Sequence, residues 1–468
     1  MFLRIRLGDN GCGSLPDRHV SRLADGGNPS CKDPLLSPPP VTFNLSQTGH
    51  WPPRKVGLFF HLVVADCRTC EGQVLSASGG HLLMEGFLPF HRADLGDEEI
   101  AAVVDVLRSG WLTTGPKVME FEREFAAMVG AQHAVAVNSC TAALHLALEA
   151  AGLREGDEVL VPTMTFAATA EVVTYFKARP ILIDCVQDTL NLDTDRIEGA
   201  ITDKTRAIIP VHFAGHPCDM EQIQSIARAH GLHVIEDAAH ALPARYQGKM
   251  VGGIADSTCF SFYATKSITT GEGGMVTTNN AEWAARIRMM SLHGLSRDAW
   301  NRYSAEGSWY YEILSPGFKY NLTDIAAALG LAQLKKCDRF WKTRERYATL
   351  YHEGFRDLPE IICPQAAPHV QHAWHLYVIQ LDLDRLRITR NEFIGQLQKA
   401  GIGCSVHFIP LHLHPYYRDM WGYRPNDLPV SNMVFQRILS LPLYSKMTEA
   451  DIDRVIDTVR TLVKENRR

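Results

Sequence analysis

From Asp97 to about residue 334 the chain alternates strand and helix patterns, and this alternation restricts its fold more than any other feature. Short apolar runs at 134–137, 159–161, 181–183, 208–211 and 234–235 have the length of buried strands. Between most of them lie stretches of helical spacing, at 141–151, 166–176 and 220–229. The rhythm predicts an α/β domain on a mainly parallel sheet. In such sheets ligands gather at the carboxyl ends of the strands, so strand-end residues are the first candidates for function. Ahead of the strands, Ile100, Val103, Val104 and Leu107 recur at helical spacing after an acidic first turn, and 121–129 reads as a second helix. Past Leu334 the pattern changes. A long charged helix (about 334–355) leads to an apolar strand (376–383), a helix (390–400), a His/Pro/Tyr-rich segment (407–417) and a closing helix (449–464). The expected organisation is a large domain over 84–334 and a smaller α+β domain over 335–468.

Residues 1–83 differ in kind. They hold 8 of the 24 prolines and 10 of the 35 glycines and show no sustained period, so they are expected to be disordered or irregular. If Met84 is the true start, this stretch is a spurious extension. Cys67-Arg-Thr-Cys70 has metal or redox spacing, but no second pair and no βαβ context accompany it, so no metal site is expected. The 11 cysteines are scattered rather than spaced as a disulfide framework, which favours the cytoplasm. A net charge of −5, from 47 basic and 52 acidic residues, gives no support to nucleic-acid binding. The best apolar run, 57–65, is broken by His61 and falls short of the roughly 20 residues that span a bilayer, so no membrane partner is expected either.

The chemistry-bearing stretch is Ser261-Phe-Tyr-Ala-Thr-Lys266, followed by Gly271-Glu-Gly-Gly274. Upstream, a strand ends in Glu236-Asp237-Ala-Ala-His240, and Asn138-Ser-Cys-Thr-Ala142 opens a helix. A lysine on a polar turn, such as Lys266, becomes a nucleophile when partly deprotonated and can form a Schiff base with an aldehyde. A strand-end carboxylate, Asp237, can pair with a pyridinium nitrogen and make the ring an electron sink. The free N–H groups of a helix opening, here at Thr141 and Ala142, favour phosphate, and Ser261 can add a hydroxyl. Phe166, just past a strand, can stack on an aromatic ring. Each feature has a plain alternative: a surface lysine, a helix cap, a core phenylalanine. His240 is either a ligand-orienting group or a buried, hydrogen-bonded histidine. Joint presence and order point to pyridoxal 5'-phosphate (PLP).

The chain also resembles a known family over about residues 88–463. The matching blocks include Gly110-Trp-Leu-Thr-Thr-Gly-Pro116, Pro162-Thr-Met-Thr-Phe166, Pro210-Val-His-Phe-Ala-Gly215, Gly317-Phe-Lys-Tyr-Asn-Leu-Thr-Asp324 and Ser440-Leu-Pro-Leu-Tyr444, besides those above. They are similar to the DegT/DnrJ/EryC1/StrS family of sugar-nucleotide aminotransferases, PLP enzymes of fold type I. The resemblance implies that Lys266 carries the cofactor and shuttles the proton, that Asp237 partners the pyridine nitrogen, and that His240 lies beside the ring oxygen. It further implies that Phe166 stacks on the ring, that Thr141, Ala142 and Ser261 hold the phosphate, and that Asn321 reaches the phosphate of a neighbouring subunit in a homodimer with shared sites. Cys140 departs from a common glycine and Ser267 from a common asparagine.

The reaction so implied moves an amino group from L-glutamate, released as 2-oxoglutarate, to a nucleotide-linked keto sugar. The run of motifs is closest to enzymes that form UDP-4-amino-4-deoxy-L-arabinose, for lipid A or cell-surface polysaccharide. His240, in place of glutamine, leans toward amination at C4 rather than C3. His407 and Tyr416 either line the sugar site or are structural, and the aromatic cluster from Trp300 to Tyr311 is either a lid or inter-subunit packing. Two rivals share the fold: a deoxysugar dehydratase, whose relatives carry histidine where Lys266 stands, and a non-catalytic PLP-binding regulator.

Overall fold

Seven strands form the sheet that the alternation predicts, in the order β1-β9-β8-β5-β4-β2-β3. The computed structural model describes residues 86–296 and 310–468. The expectations for 1–83, including Cys67 and Cys70, lie outside these residues, as does most of the Trp300 to Tyr311 cluster. The sheet starts with β1 (His133–Val137), β2 (Glu158–Pro162), β3 (Arg179–Ile183), β4 (Thr205–Ile208) and β5 (His233–Asp237). A hairpin of β6 (Arg245–Tyr246) and β7 (Lys249–Met250) precedes β8 (Ser257–Ser261) and β9 (Gly274–Thr278). Strands β2 to β5 and β8 pair in parallel, and β9 runs antiparallel to both β8 and β1. The sheet is therefore mixed but mainly parallel.

Burial on both faces explains the continuous apolar runs. On one face Val159, Val161, Ile235, Cys259 and Val276 meet α3 (Cys140–Ala150), which follows α1 (Asp97–Ser109) and α2 (Pro116–Val129) in the chain. On the other, Phe260 and Met275 meet Phe121 and Phe125 of α2. Burying each such side chain stabilises by about 1.5–3 kcal/mol. The edge helix α1 is less simply amphipathic than its spacing predicts. Ile100 and Leu107 are exposed, whereas Glu99 and Val106 face inward. Glu99 turns in because its carboxylate accepts hydrogen bonds from Gly96 N–H, Lys336 Nζ and Gln333 Nε2, at 2.8–2.9 Å.

The long helix Asp324–Phe355 begins well before Leu334, capped by Thr323 Oγ1 on Ala326 N–H. Its first half packs Ala327, Leu331 and Phe340 against α2. Its second half packs Ala348, Tyr351 and Phe355 against a three-stranded antiparallel sheet of β10 (Ile361–Ile362), β12 (Tyr377–Leu381) and β13 (Ile438–Leu441). Another short strand, β11 (Val370–Gln371), joins the β6–β7 hairpin. Among the described residues, no helix is long and apolar enough to cross a membrane.

Candidate active site

A cavity of about 510 Å³ opens where the parallel strands end. That position follows from topology, since strand ends and helix starts meet on this side of the sheet. Six of the eight predicted residues line it: Thr141, Phe166, Asp237, His240, Ser261 and Lys266. Ala142 and Asn321 do not. Ala142 sits just beneath the wall, and its N–H donates to the capping Ser139 Oγ at 3.1 Å. The cavity instead meets Ser139, Cys140 and Thr141, the opening of α3. Asn321 bridges to Val137 and donates from Nδ2 to Thr114 Oγ1 at 2.7 Å. His407 lines the cavity, and the half-exposed Tyr416 does not.

Asp237 is the last residue of β5 and is buried. Its Oδ2 accepts from Thr169 Oγ1 at 2.8 Å and its Oδ1 from Ala239 N–H at 3.1 Å. Thr169 is itself paired with Thr165, 2.7 Å between hydroxyls. Burial raises the Asp237 carboxyl above its ordinary range, although both hydrogen bonds and the nearby Lys266 oppose this. Lys266 lies in the turn after β8, with its N–H on the Tyr263 carbonyl at 2.9 Å. Burial lowers its amine to about 8, with Cys140 and Asp237 pulling the other way. At that value about one amine in ten is neutral at pH 7, against about one in three thousand at the ordinary value.

His240 Nδ1 accepts the Ala214 N–H at 3.2 Å, which puts the imidazole proton on Nε2. Burial first, then Lys266 and His407, hold His240 far below its ordinary pKa, so it is a neutral donor. Gly215 allows this approach: its φ is +100°, and a Cβ there would lie 2.8 Å from both the His240 carbonyl and the Ala373 Cβ. Gly274 serves likewise at the α3 opening, where a Cβ would press on the Ser139 carbonyl and lie 2.7 Å from Cys140 N. Phe166 is 63 % exposed, an open ring face in the wall.

These residues fit PLP. They combine an amine that burial keeps partly neutral, a buried strand-end carboxylate, a helix opening and an uncovered aromatic ring. Sequence reasoning missed His91 and His375, which also line the cavity, and the pair Thr165 and Thr169 behind Asp237. Burial, with help from the Arg344 charge, lowers His91 to about 4. Burial, with Lys266, does the same to His407. The motif His372-Ala-Trp-His375 was the available signal for His375. Nothing local marked His91. Among the described residues, no cluster of three or more His, Cys, Asp or Glu could hold a metal ion.

The model of the DegT/DnrJ/EryC1/StrS aminotransferase family matches residues 93–460. An uncharacterized protein of Methanocaldococcus jannaschii is 53 % identical over 386 residues, 82 % of this chain and all of that protein. The spore coat polysaccharide biosynthesis protein SpsC of Bacillus subtilis is 52 % identical over 379 residues, 81 % of this chain and 97 % of SpsC. Among solved structures, the PLP form of the sugar aminotransferase Spr1654 from Streptococcus pneumoniae superposes with a TM-score of 0.76 at 35 % identity, covering 81 % of this chain and 99 % of that one.

Proposed function

Because the chain belongs to the DegT/DnrJ/EryC1/StrS aminotransferase family, we propose that it transfers an amino group from L-glutamate to a nucleotide-linked 4-keto sugar, such as a UDP-4-keto-pentose. It is a PLP-dependent sugar aminotransferase. The name of SpsC supports a place in polysaccharide biosynthesis. The observation that carries the reading is the meeting of Lys266, Asp237 and the α3 opening on one cavity.

The cofactor, when bound, supplies an aldehyde for amine capture and a ring that accepts electrons. The chain supplies the rest. Lys266 is the amine that would carry the aldehyde, and its lowered pKa suits it, once displaced, to take and return a proton near neutral pH. Asp237, held by Thr169 and Ala239, would keep the ring nitrogen protonated. His240 would offer its Nε2–H to the ring oxygen. Phe166 offers a stacking face, and Thr141 with Ser261 would receive the phosphate beside the helix opening. Asn321, off its own cavity, is assigned to the site of a second copy. The exposed Ile100 and Leu107 of α1, with Trp111 and Leu112 beyond it, favour a homodimer over a free surface. The seven described cysteines are all free thiols, in keeping with the cytoplasm.

Spectroscopy tests the proposal. The holoenzyme should be yellow, bleach with L-glutamate alone, and recover its colour with a UDP-linked 4-keto sugar. NMR of the product should show nitrogen at C4; nitrogen at C3 would correct the regiochemistry. A protein that glutamate cannot bleach would be a regulator, and a deoxygenated product would mark a dehydratase. Borohydride reduction should fix the cofactor on the peptide holding Lys266, and Lys266→Arg should bind cofactor without turnover, since a guanidinium does not give up its proton.

A further inference from the structure

The turn from His372 to His375 is gripped from behind by a charge with no acid to answer it. Arg344 of the long helix is 2 % exposed. Its Nη1 donates to the carbonyls of Leu443 (2.7 Å), His375 (3.2 Å) and Trp374 (3.4 Å), and its Nε is buried without a partner. One turn earlier, Trp341 Nε1 donates to the His372 carbonyl at 2.9 Å. Between these anchors Trp374 holds φ at 50°, a left-handed conformation that bulky residues rarely adopt. A buried cation without a carboxylate and a strained tryptophan each cost stability. Both costs fall on the same few residues, and such strain gathers where a side chain must be presented in a fixed place.

What the turn presents is His375. Its imidazole lies in the cavity wall, 4.5 Å from the ring centre of His240. It is 5 % exposed, with Nδ1 lacking any partner. Its backbone N–H donates to the Ala214 carbonyl at 3.1 Å, and Ala214 is also the residue whose N–H holds His240. One residue thus sets both imidazoles in relation to each other. Leu376, His407, Phe408, Leu441 and Leu443 line the same cavity, and the charges that reach His375 are those of Lys266 and, behind the wall, Arg344. Among the described residues no arginine borders the cavity, and Lys266 is its sole lysine. With no guanidinium in the wall to clamp a carboxylate, the leucines and Phe408 offer apolar surface to a sugar ring and the neutral imidazole of His375 can pair with a hydroxyl.

We propose that His375 hydrogen-bonds a hydroxyl of the keto sugar and that Arg344 is its positioning residue. This rests on the sugar aminotransferase function given above. It assigns His375 to the sugar half of the reaction and not to glutamate.

The two half-reactions are separable in the holoenzyme, with L-glutamate reading the first and a UDP-linked 4-keto sugar the second. His375→Phe keeps ring and volume and removes both nitrogens. It should slow the sugar half-reaction at least about tenfold, the size of one lost hydrogen bond in a buried site, and leave the glutamate half within about twofold. Arg344→Met should give the same pattern, and Arg344→Lys, which restores a charged donor, should recover most of the loss. Titration of the cofactor-free protein with the UDP-linked 4-amino sugar, followed by tryptophan fluorescence, should show about tenfold weaker binding in His375→Phe and Arg344→Met, with UDP alone unaffected. If His375→Phe does not fold, His375→Leu and Arg344→Met carry the same comparison. An unchanged sugar half-reaction, an equal fall in both halves or unchanged binding of the amino sugar overturns the proposal. A wild-type enzyme that ignores the keto sugar overturns the underlying function instead.

Discussion

Replacing Lys266 by methionine should stabilise the cofactor-free protein at pH 7, and the gain should fade as pH rises. Burial lowers the amine from 10.5 to about 8. Between these values the folded protein binds fewer protons than the unfolded chain, so wild-type stability climbs with pH across that window and bears the full penalty below it. At 1.36 kcal/mol per pH unit, that penalty is about 3 kcal/mol. Methionine matches the length of lysine and has no charge to desolvate, so Lys266→Met should gain up to about 3 kcal/mol at pH 7 and progressively less toward pH 10. Urea denaturation of both proteins, stripped of cofactor, at several values from pH 7 to 10 measures the difference directly. A gain that is absent at pH 7, or equally large at pH 10, would refute the reasoning. The amine would then not be activated by burial, and its nucleophilicity would need another source.

Three further outcomes follow from the geometry. Asp237→Asn should retain the Ala239 and Thr169 contacts but lose at least about a hundredfold in the glutamate-driven bleaching rate, since an amide cannot hold the ring nitrogen protonated; a loss under tenfold would speak against the role. Gly215→Ala, which forces a Cβ to 2.8 Å from the Ala373 Cβ and the His240 carbonyl at a φ of +100°, should destabilise by about 2–4 kcal/mol in urea, and an unmoved midpoint would contradict it. A chain started at Met84 should match the full chain in melting temperature and specific activity, because the sheet, the long helix and the cavity all lie beyond it; loss of folding would give residues 1–83 a structural role.

The strands from β1 to β5 were legible because burial on both faces leaves plain apolar runs. Strands β8 and β9 were not. They read Ser-Thr-Cys-Phe-Ser and Gly-Met-Val-Thr-Thr, with hydroxyls where an apolar run would be expected. Two of those hydroxyls are satisfied by distant groups, Thr258 by the Glu236 carboxylate and Thr277 by the Gly252 carbonyl, while the buried Ser257 Oγ has no partner. Periodicity also marks a face without naming what covers it, which is why the stripe of α1 did not foretell that Ile100 and Leu107 point outward. The long helix was begun too late because the charged pattern that marked it starts only at Lys335, after an uncharged stretch from Ile325 to Leu334. Gly330 is small for a reason no window of sequence contains: a Cβ there would lie 2.8 Å from the Phe121 ring.

The cavity divides along the same line. Its cofactor half consists of strand ends and a helix start, so each contributor is announced by its neighbours in sequence: Asp237 by the run of β5, Thr141 by the helix it opens, Lys266 by the polar turn after Ser261. Its other half is assembled by long-range contacts from segments that share no local signal. Phe90 and His91 come from before α1, His375 from a turn held by the long helix, and His407 from a loop tied to Ser440 Oγ at 2.8 Å. The cofactor chemistry proposed above rests on the first half, and the proposed sugar contact, His375, lies in the second. A change of substrate within this fold should therefore appear at positions such as 91, 375 and 407, and in the buried residues that hold them, while the pattern around Lys266 and Asp237 stays as it is.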